Sequence, residues 1–130
     1  MTENMTVRTS TRSFTEAVST LEAGLARRGI PVFATIDHAG GARKAGLEMP
    51  DETVIIFGNP AVGTALMQED PRVGVALPLR ILIWTGNGET HVGYQDPRAL
   101  ADSFSLANST ETLGKLSSLL EQLVSEIVAT

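Results

Sequence analysis

Candidates for chemistry begin with the stretch "FGNPAVGT", residues 57–64, where Gly58 and Gly63 follow an apolar run at the spacing of a phosphate-binding loop. Such a loop reads G-x-x-x-x-G-K-S/T: the lysine meets the phosphates and the hydroxyl meets magnesium. Here Thr64 occupies the lysine position and Ala65 the hydroxyl position. Pro60, inside the loop, has no N–H to give a phosphate. Nucleotide binding of that kind is set aside. Each residue instead suits a strand exit and a helix start. Gly58 permits a tight turn, Asn59 is a good N-cap, and Pro60 is preset for the first helical position. Gly63 lets the helix lie close to a sheet or a ligand. The free N–H groups and partial positive charge of a helix start suit a small anion or carboxylate. The stretch is read first as a cap and second as a ligand site built on Asn59, Gly63 and Thr64.

Arg80 interrupts the apolar run "LPLRILIW" (77–84). A charge there has to reach water, a carboxylate or an anion. That makes it the basic residue to place in a pocket with Asn59 and Thr64; the other reading is an outward arginine lying over the sheet. Asp37 beside His38 could orient or charge the imidazole for acid–base work near neutral pH. Adjacent residues at a strand end point in opposite directions, so Asp37 is read first as a helix cap and His38 as an exposed first-turn residue. His91 lies in a hairpin strand, with Trp84 as its expected cross-strand neighbour. Two histidines far apart and no cysteine give zinc or copper little to bind. The acidic "EMPDET" segment (48–53) reads as a solvated turn. No serine sits in a nucleophile elbow. Neither a metal nor a cofactor is expected.

The elements that must position these residues follow from pattern. Ser13 and Glu16 form a capping box, and Phe14, Val18, Leu21 and Leu25 then share one helical face. Gly29 and Pro31 end that helix. "VFATID" is a strand, and Asp37 caps a weak helix or loop that Gly46 closes. "TVIIFG" reads as a central strand buried on both faces. The helix that Asn59 starts ends near Asp70–Pro71. "LPLRILIWT" and "THVGYQ" are strands joined at Asn87–Gly88, the best hairpin signal in the chain. Asp96–Pro97 opens a further capped turn. Residues 1–5 are expected to be flexible, and "TVRTSTR" (6–12) reads as a first strand. Residues 109–130 form an amphipathic helix with Leu113, Leu116, Leu120, Leu123 and Ile127 in a heptad seam. The seam is read as packing on the sheet, with a crossing to a second subunit as the alternative.

The 130 residues, 42% of them apolar, suit a single α/β domain over 1–130 with a core that needs no staples. The net charge of −5 argues against nucleic acid, whose phosphates need clustered Lys and Arg. No apolar run reaches membrane-spanning length and the N-terminus has no signal-peptide core, so a cytoplasmic protein with no membrane partner is expected.

The blocks "ATIDHAGGARKAGLEMP", "VIIFGNPAVGTALM", "LPLRILIW" and "VGYQDP" occur in that order. Together they resemble the bacterial and archaeal family labelled domain of unknown function 302, from about residue 14 to residue 101. The resemblance implies a TATA-binding-protein-like α/β fold: a curved, mixed, mostly antiparallel sheet with helices packed on one face. It implies small cytoplasmic proteins and dimers, and it assigns no activity. Where the family pattern has an acidic residue before "LPL", this chain has Ala76. Where it has an Arg–His pair, Ser103 and Phe104 stand.

Three functions stay open on these grounds. The first is a homodimeric protein binding a small anionic or polar metabolite near Asn59, Gly63, Thr64 and Arg80. The second is a small acid–base enzyme using Asp37 and His38, which requires them to converge with Asn59 in one cleft. The third is an interaction module that presents the heptad face to a protein partner.

Overall fold

The computed structural model describes residues 5–129. Strands β1 (Met5–Ser10), β2 (Val32–Asp37), β3 (Glu52–Phe57), β4 (Leu79–Gly86) and β5 (Glu89–Gln95) form one sheet in the order β1-β5-β4-β3-β2. All four pairings are antiparallel, so the sheet has no parallel component and is not mixed. Its middle strand is β4; the apolar run of β3 lies one position off centre. The β4–β5 hairpin and the addition of β1 beyond it shift the centre that way. Asn87 and Gly88, at φ 54° and 75°, close the hairpin in the left-handed conformation that a type I′ turn requires. Of the end expected to be flexible, Met5 already belongs to β1, and residues 1–4 lie outside the described residues.

Alternation along the strands sends Ile55, Phe57, Ile81, Ile83, Val92 and Tyr94 to one face. Two helices cover it, α1 (Phe14–Arg27) and α5 (Thr110–Val128), through Leu21, Leu25, Leu120, Leu123 and Ile127. The capping box at Ser13 and Glu16 is complete, and Gly29 takes a left-handed φ of 66° after α1. The heptad seam is consumed inside the chain: Leu113, Leu120, Leu123 and Ile127 are buried and Leu116 half-buried. The interaction-module reading loses its surface, because an apolar stripe already covered by the sheet, by α1 and, at Leu113 and Leu116, by Leu66, Val73 and Leu106 has little left to offer a partner. The carbonyl of Ile127 accepts from Ser10 Oγ at 2.8 Å and from Arg12 Nε at 3.1 Å. These bonds satisfy one of the free acceptors at the end of α5. Glu126 takes both Arg27 and Arg28 at 2.8 and 2.7 Å, tying the C-terminal turns of α1 and α5 together.

Between β2 and β3 lies α2 (His38–Lys44), a true helix despite Gly40 and Gly41. Helix α3 (Pro60–Glu69) follows β3 and runs into a 3-10 helix, Pro71–Ala76. Past β5 come a second 3-10 turn, Pro97–Ala99, and the short α4 (Leu100–Ser103). A second, smaller core joins Leu66, Val73, Leu106 and Leu113. Acidic residues at the end of α3 hold it shut. Glu69 accepts the Asn108 N–H at 2.8 Å and the Ser109 hydroxyl. The buried Asp70 carboxylate is bound by the Arg72 guanidinium, the Arg72 N–H and the Ser105 N–H.

Candidate functional site

The start of α3 forms as its residues dictate. Asn59 is the N-cap, its Oδ1 accepting the Ala61 N–H at 2.9 Å, and Pro60 fills the first helical position. Gly63 N–H begins the helical ladder on Asn59 O at 3.0 Å. By helix geometry the Val62 N–H of the first turn has no partner within the helix. Gly58 makes room for the chain to turn: a Cβ there would lie 3.6 Å from Pro78 and 3.7 Å from Phe33.

Beside this turn, at the junction of the two cores, is a cavity of about 310 Å³. Asn59, Gly63 and Thr64 all line it, so three of the four residues chosen for ligand binding come together. Its other walls are apolar: Phe33 from β2, Met67 from α3, Leu77 and Leu79 before and in β4, and Leu116 from α5. Gly63 is the thin point of the wall, since a Cβ added there would meet only Leu77 and Met67, each at 4.0 Å. The sequence reading found the polar rim and missed the apolar walls. Phe33, Leu77 and Leu116 are scattered across more than 80 residues, and the sequence pattern assigns them separately, to two strands and the helical seam.

Arg80 does not join this site. Its neighbours Ile81 and Ile83 point into the helix-covered core, so alternation turns Arg80 to the opposite face of the sheet. There it is exposed, at the end of β4. The expected cluster of Asn59, Thr64 and Arg80 is thus corrected by the pleat.

Asp37 and His38 do not converge with Asn59 either. Asp37 pairs with Thr53 and Val32 with Phe57, so Asp37 and Asn59 flank opposite ends of β3. Thr53 and Phe57 are four positions apart, roughly 13 Å along the strand. Asp37 Oδ1 caps α2 by accepting the Gly40 N–H at 2.8 Å, and its other oxygen lies 3.7 Å from Arg43. His38 is exposed in the first turn of α2. The cleft that acid–base catalysis by this pair requires is not formed.

His91 sits directly opposite Trp84, as the hairpin predicts, with ring centroids 5.4 Å apart. Its Nε2 donates to Gly86 O at 3.1 Å, and Nδ1 stands 3.1 Å from Thr9 Oγ1. Both nitrogens are occupied by structural partners. Among the described residues no group of His, Asp and Glu could hold a metal ion. No described helix is long and apolar enough to cross a membrane.

The family model described as "Domain of unknown function DUF302" matches residues 5–123. The chain belongs to this family. The match reaches further at both ends than the sequence blocks did, taking in β1 and most of α5. A crystal structure of an uncharacterized DUF302 protein from Bacillus stearothermophilus superposes with a TM-score of 0.86, over 96% of this chain and 98% of that one, at 18% identity. At that identity the likeness speaks for the fold alone. Curated relatives are proteins of Brucella suis and Brucella abortus named fluoride-specific ion channel FluC 1, each 40% identical over 103 residues. Those 103 residues are 78% of this chain, but 41% and 38% of the two relatives. The chain thus spans about two fifths of the curated relatives it matches.

Proposed function

We propose that this DUF302 chain is a cytoplasmic, homodimeric binding module whose cavity at the start of α3 takes a small molecule with an apolar body and one anionic or polar end. The observation that carries this reading is the apolar cavity of about 310 Å³ opening beside the first turn of α3. Ligand sites combine apolar walls with a few placed polar groups. Here Phe33, Leu77, Leu79 and Leu116 supply the walls, and the helix start with Thr64 supplies the polar end. A fully hydrated inorganic anion has no reason to enter such walls. A short-chain carboxylate does: its tail displaces poorly held water and its head meets the partial positive charge at the start of the helix. Among the described residues lining this cavity none is a His, Asp, Glu or Lys that could act as a base beside the Thr64 hydroxyl, which favours binding over catalysis.

Octanoate is a suitable probe. It is expected to raise the melting temperature of the wild-type chain in proportion to the logarithm of its concentration. Gly63→Leu fills the cavity with a side chain that meets no backbone, so it is expected to keep its own melting temperature and lose the octanoate response. A flat wild-type response across carboxylates of four to twelve carbons, or an undiminished response in Gly63→Leu, refutes the reading.

A second reading rests on the Brucella relatives. A segment like this chain is part of polypeptides named as fluoride-specific ion channels, so this chain would serve as an accessory module to such a channel. Fluoride flux into liposomes through the Brucella suis protein, with and without its matching segment, tests it. Unchanged flux removes the reading.

A further inference from the structure

The face of the sheet opposite α1 and α5 is as apolar as the covered one at its centre. Registration across the five strands aligns Val7, Gly93, Leu82, Val54 and Ile36 in one row. None of the five joins the two core clusters, although Val54 and Gly93 at the middle of the row are buried and Leu82 half-buried. Ile56 and Trp84 flank the row on the same face. An antiparallel sheet with one solvated face ordinarily alternates, apolar inward and polar outward. This sheet does so only at its margins, and Val7 and Ile36 stay 49% and 42% exposed.

We propose that this open face packs against the same face of a second copy of the chain, about a two-fold axis that crosses the strands along the Leu82–Val54 row. The proposal deepens the homodimer clause of the proposed function and rests on it; the cavity at α3 lies toward the covered face and takes no part.

Three observations select a second copy and this axis. The first is flatness. A Cβ at Gly93 would lie 3.1 Å from the Trp84 ring and 2.6 Å from Met5, so the absent side chain is what lets the indole lie down across β5. The indole also rests on the His91 ring. A large aromatic that would otherwise stand up from the face becomes part of a level surface, as packing at about 10 Å between sheets requires.

The second is charge. Arg80 lies opposite Ile56 at one end of the face, and Glu52 lies opposite Trp84 at the other. An in-plane axis perpendicular to the strands exchanges the two ends. It carries Arg80 over the partner's Trp84 and one strand spacing from the partner's Glu52, and does so twice by symmetry. Each arginine thereby gains a carboxylate and an aromatic face. An axis along the central strand β4 would instead bring Arg80 over the partner's Arg80. Charge therefore distinguishes the two arrangements.

The third is area. Five strands spaced about 4.8 Å apart, with about five residues each at about 3.3 Å, give a plane of roughly 24 by 16 Å. That plane is roughly 400 Å², about half of the roughly 800 Å² per partner of a standard interface. The face therefore suits a weak dimer, populated at the upper end of a micromolar concentration range.

Sedimentation equilibrium of the full chain over about 1 to 100 μM is the test. The wild type is expected to be a dimer at the upper end. Arg80→Glu and Glu52→Arg alone are each expected to weaken dimerisation at least tenfold. The double swap, which restores opposite charges across the axis, is expected to return it to within about threefold of wild type. Leu82→Lys is expected to give a monomer with an unchanged circular-dichroism spectrum; if it does not fold, Val7→Lys, at an exposed edge position, takes its place. A wild type that stays monomeric throughout overturns the proposal. So does a dimer that survives both the lysine variant and the single charge reversals.

Discussion

The Asp70 carboxylate accepts the Ser105 N–H at 2.8 Å, 35 residues further along the chain, while its guanidinium partner Arg72 is only two residues away. One side chain thus closes a local turn and pins the segment before α5 to the end of α3. Those donors hold the carboxyl far below the usual carboxylate range, the Arg72 side chain first among them and the Ser105 N–H next. A depressed acid stabilises the fold at pH values above its unfolded value, near 3.9, and loses that contribution as pH falls toward the folded value. The wild type is therefore expected to lose stability steeply below about pH 4, and Asp70→Asn to start less stable at neutral pH with a shallower acid slope. Urea unfolding at pH 7 and pH 3 reads both. Parallel slopes in the two proteins would show that the latch does not contribute.

Leu120 separates a helix packed within the chain from one shared with a neighbour. It is 1% exposed, between the sheet and α1. Leu120→Ala is expected to cost about 2 to 5 kcal/mol of folding stability. The loss should be independent of protein concentration, as chemical denaturation at two concentrations would show. A loss that vanishes on dilution would place α5 across subunits.

Asn59 is exposed, so its cap can be removed without opening a core. Asn59→Ala is expected to cost about 1 kcal/mol, and Asn59→Asp to be close to neutral. If alanine is harmless, the capping bond to Ala61 is not what starts α3.

Gly88 takes φ 75° with open space around the position of a Cβ, so only the backbone opposes a side chain there. Gly88→Ala is expected to cost about 1 to 2 kcal/mol. Thermal unfolding followed by circular dichroism reads it. A neutral result would mean that the hairpin adopts a different turn when forced.

What was legible in the sequence was local. Ser13 with Glu16, Asn59 with Pro60 and Asn87 with Gly88 each act through backbone groups within three residues, so their types alone determine where helices start and the hairpin turns. The family blocks could be recognised for the same reason: they are runs of consecutive residues. What only the tertiary structure decided was which faces meet. A heptad seam has the same spacing whether it covers a sheet or a second subunit, and the contacts of Leu120 and Ile127 with the sheet core and α1 settled it. Arg80 and Thr64 were equally eligible for one pocket until the alternation of β4 put them on opposite sides of the sheet. Asp37 and His38 kept their reactive appearance until strand pairing set them at the far end of β3 from Asn59. The cavity beside α3 had no sequence signature, because apolar walls from Phe33, Leu77 and Leu116 become neighbours only when the strands and helices pack. Burial is a property of neighbours in space, and a linear pattern states which residues prefer it without stating beside what.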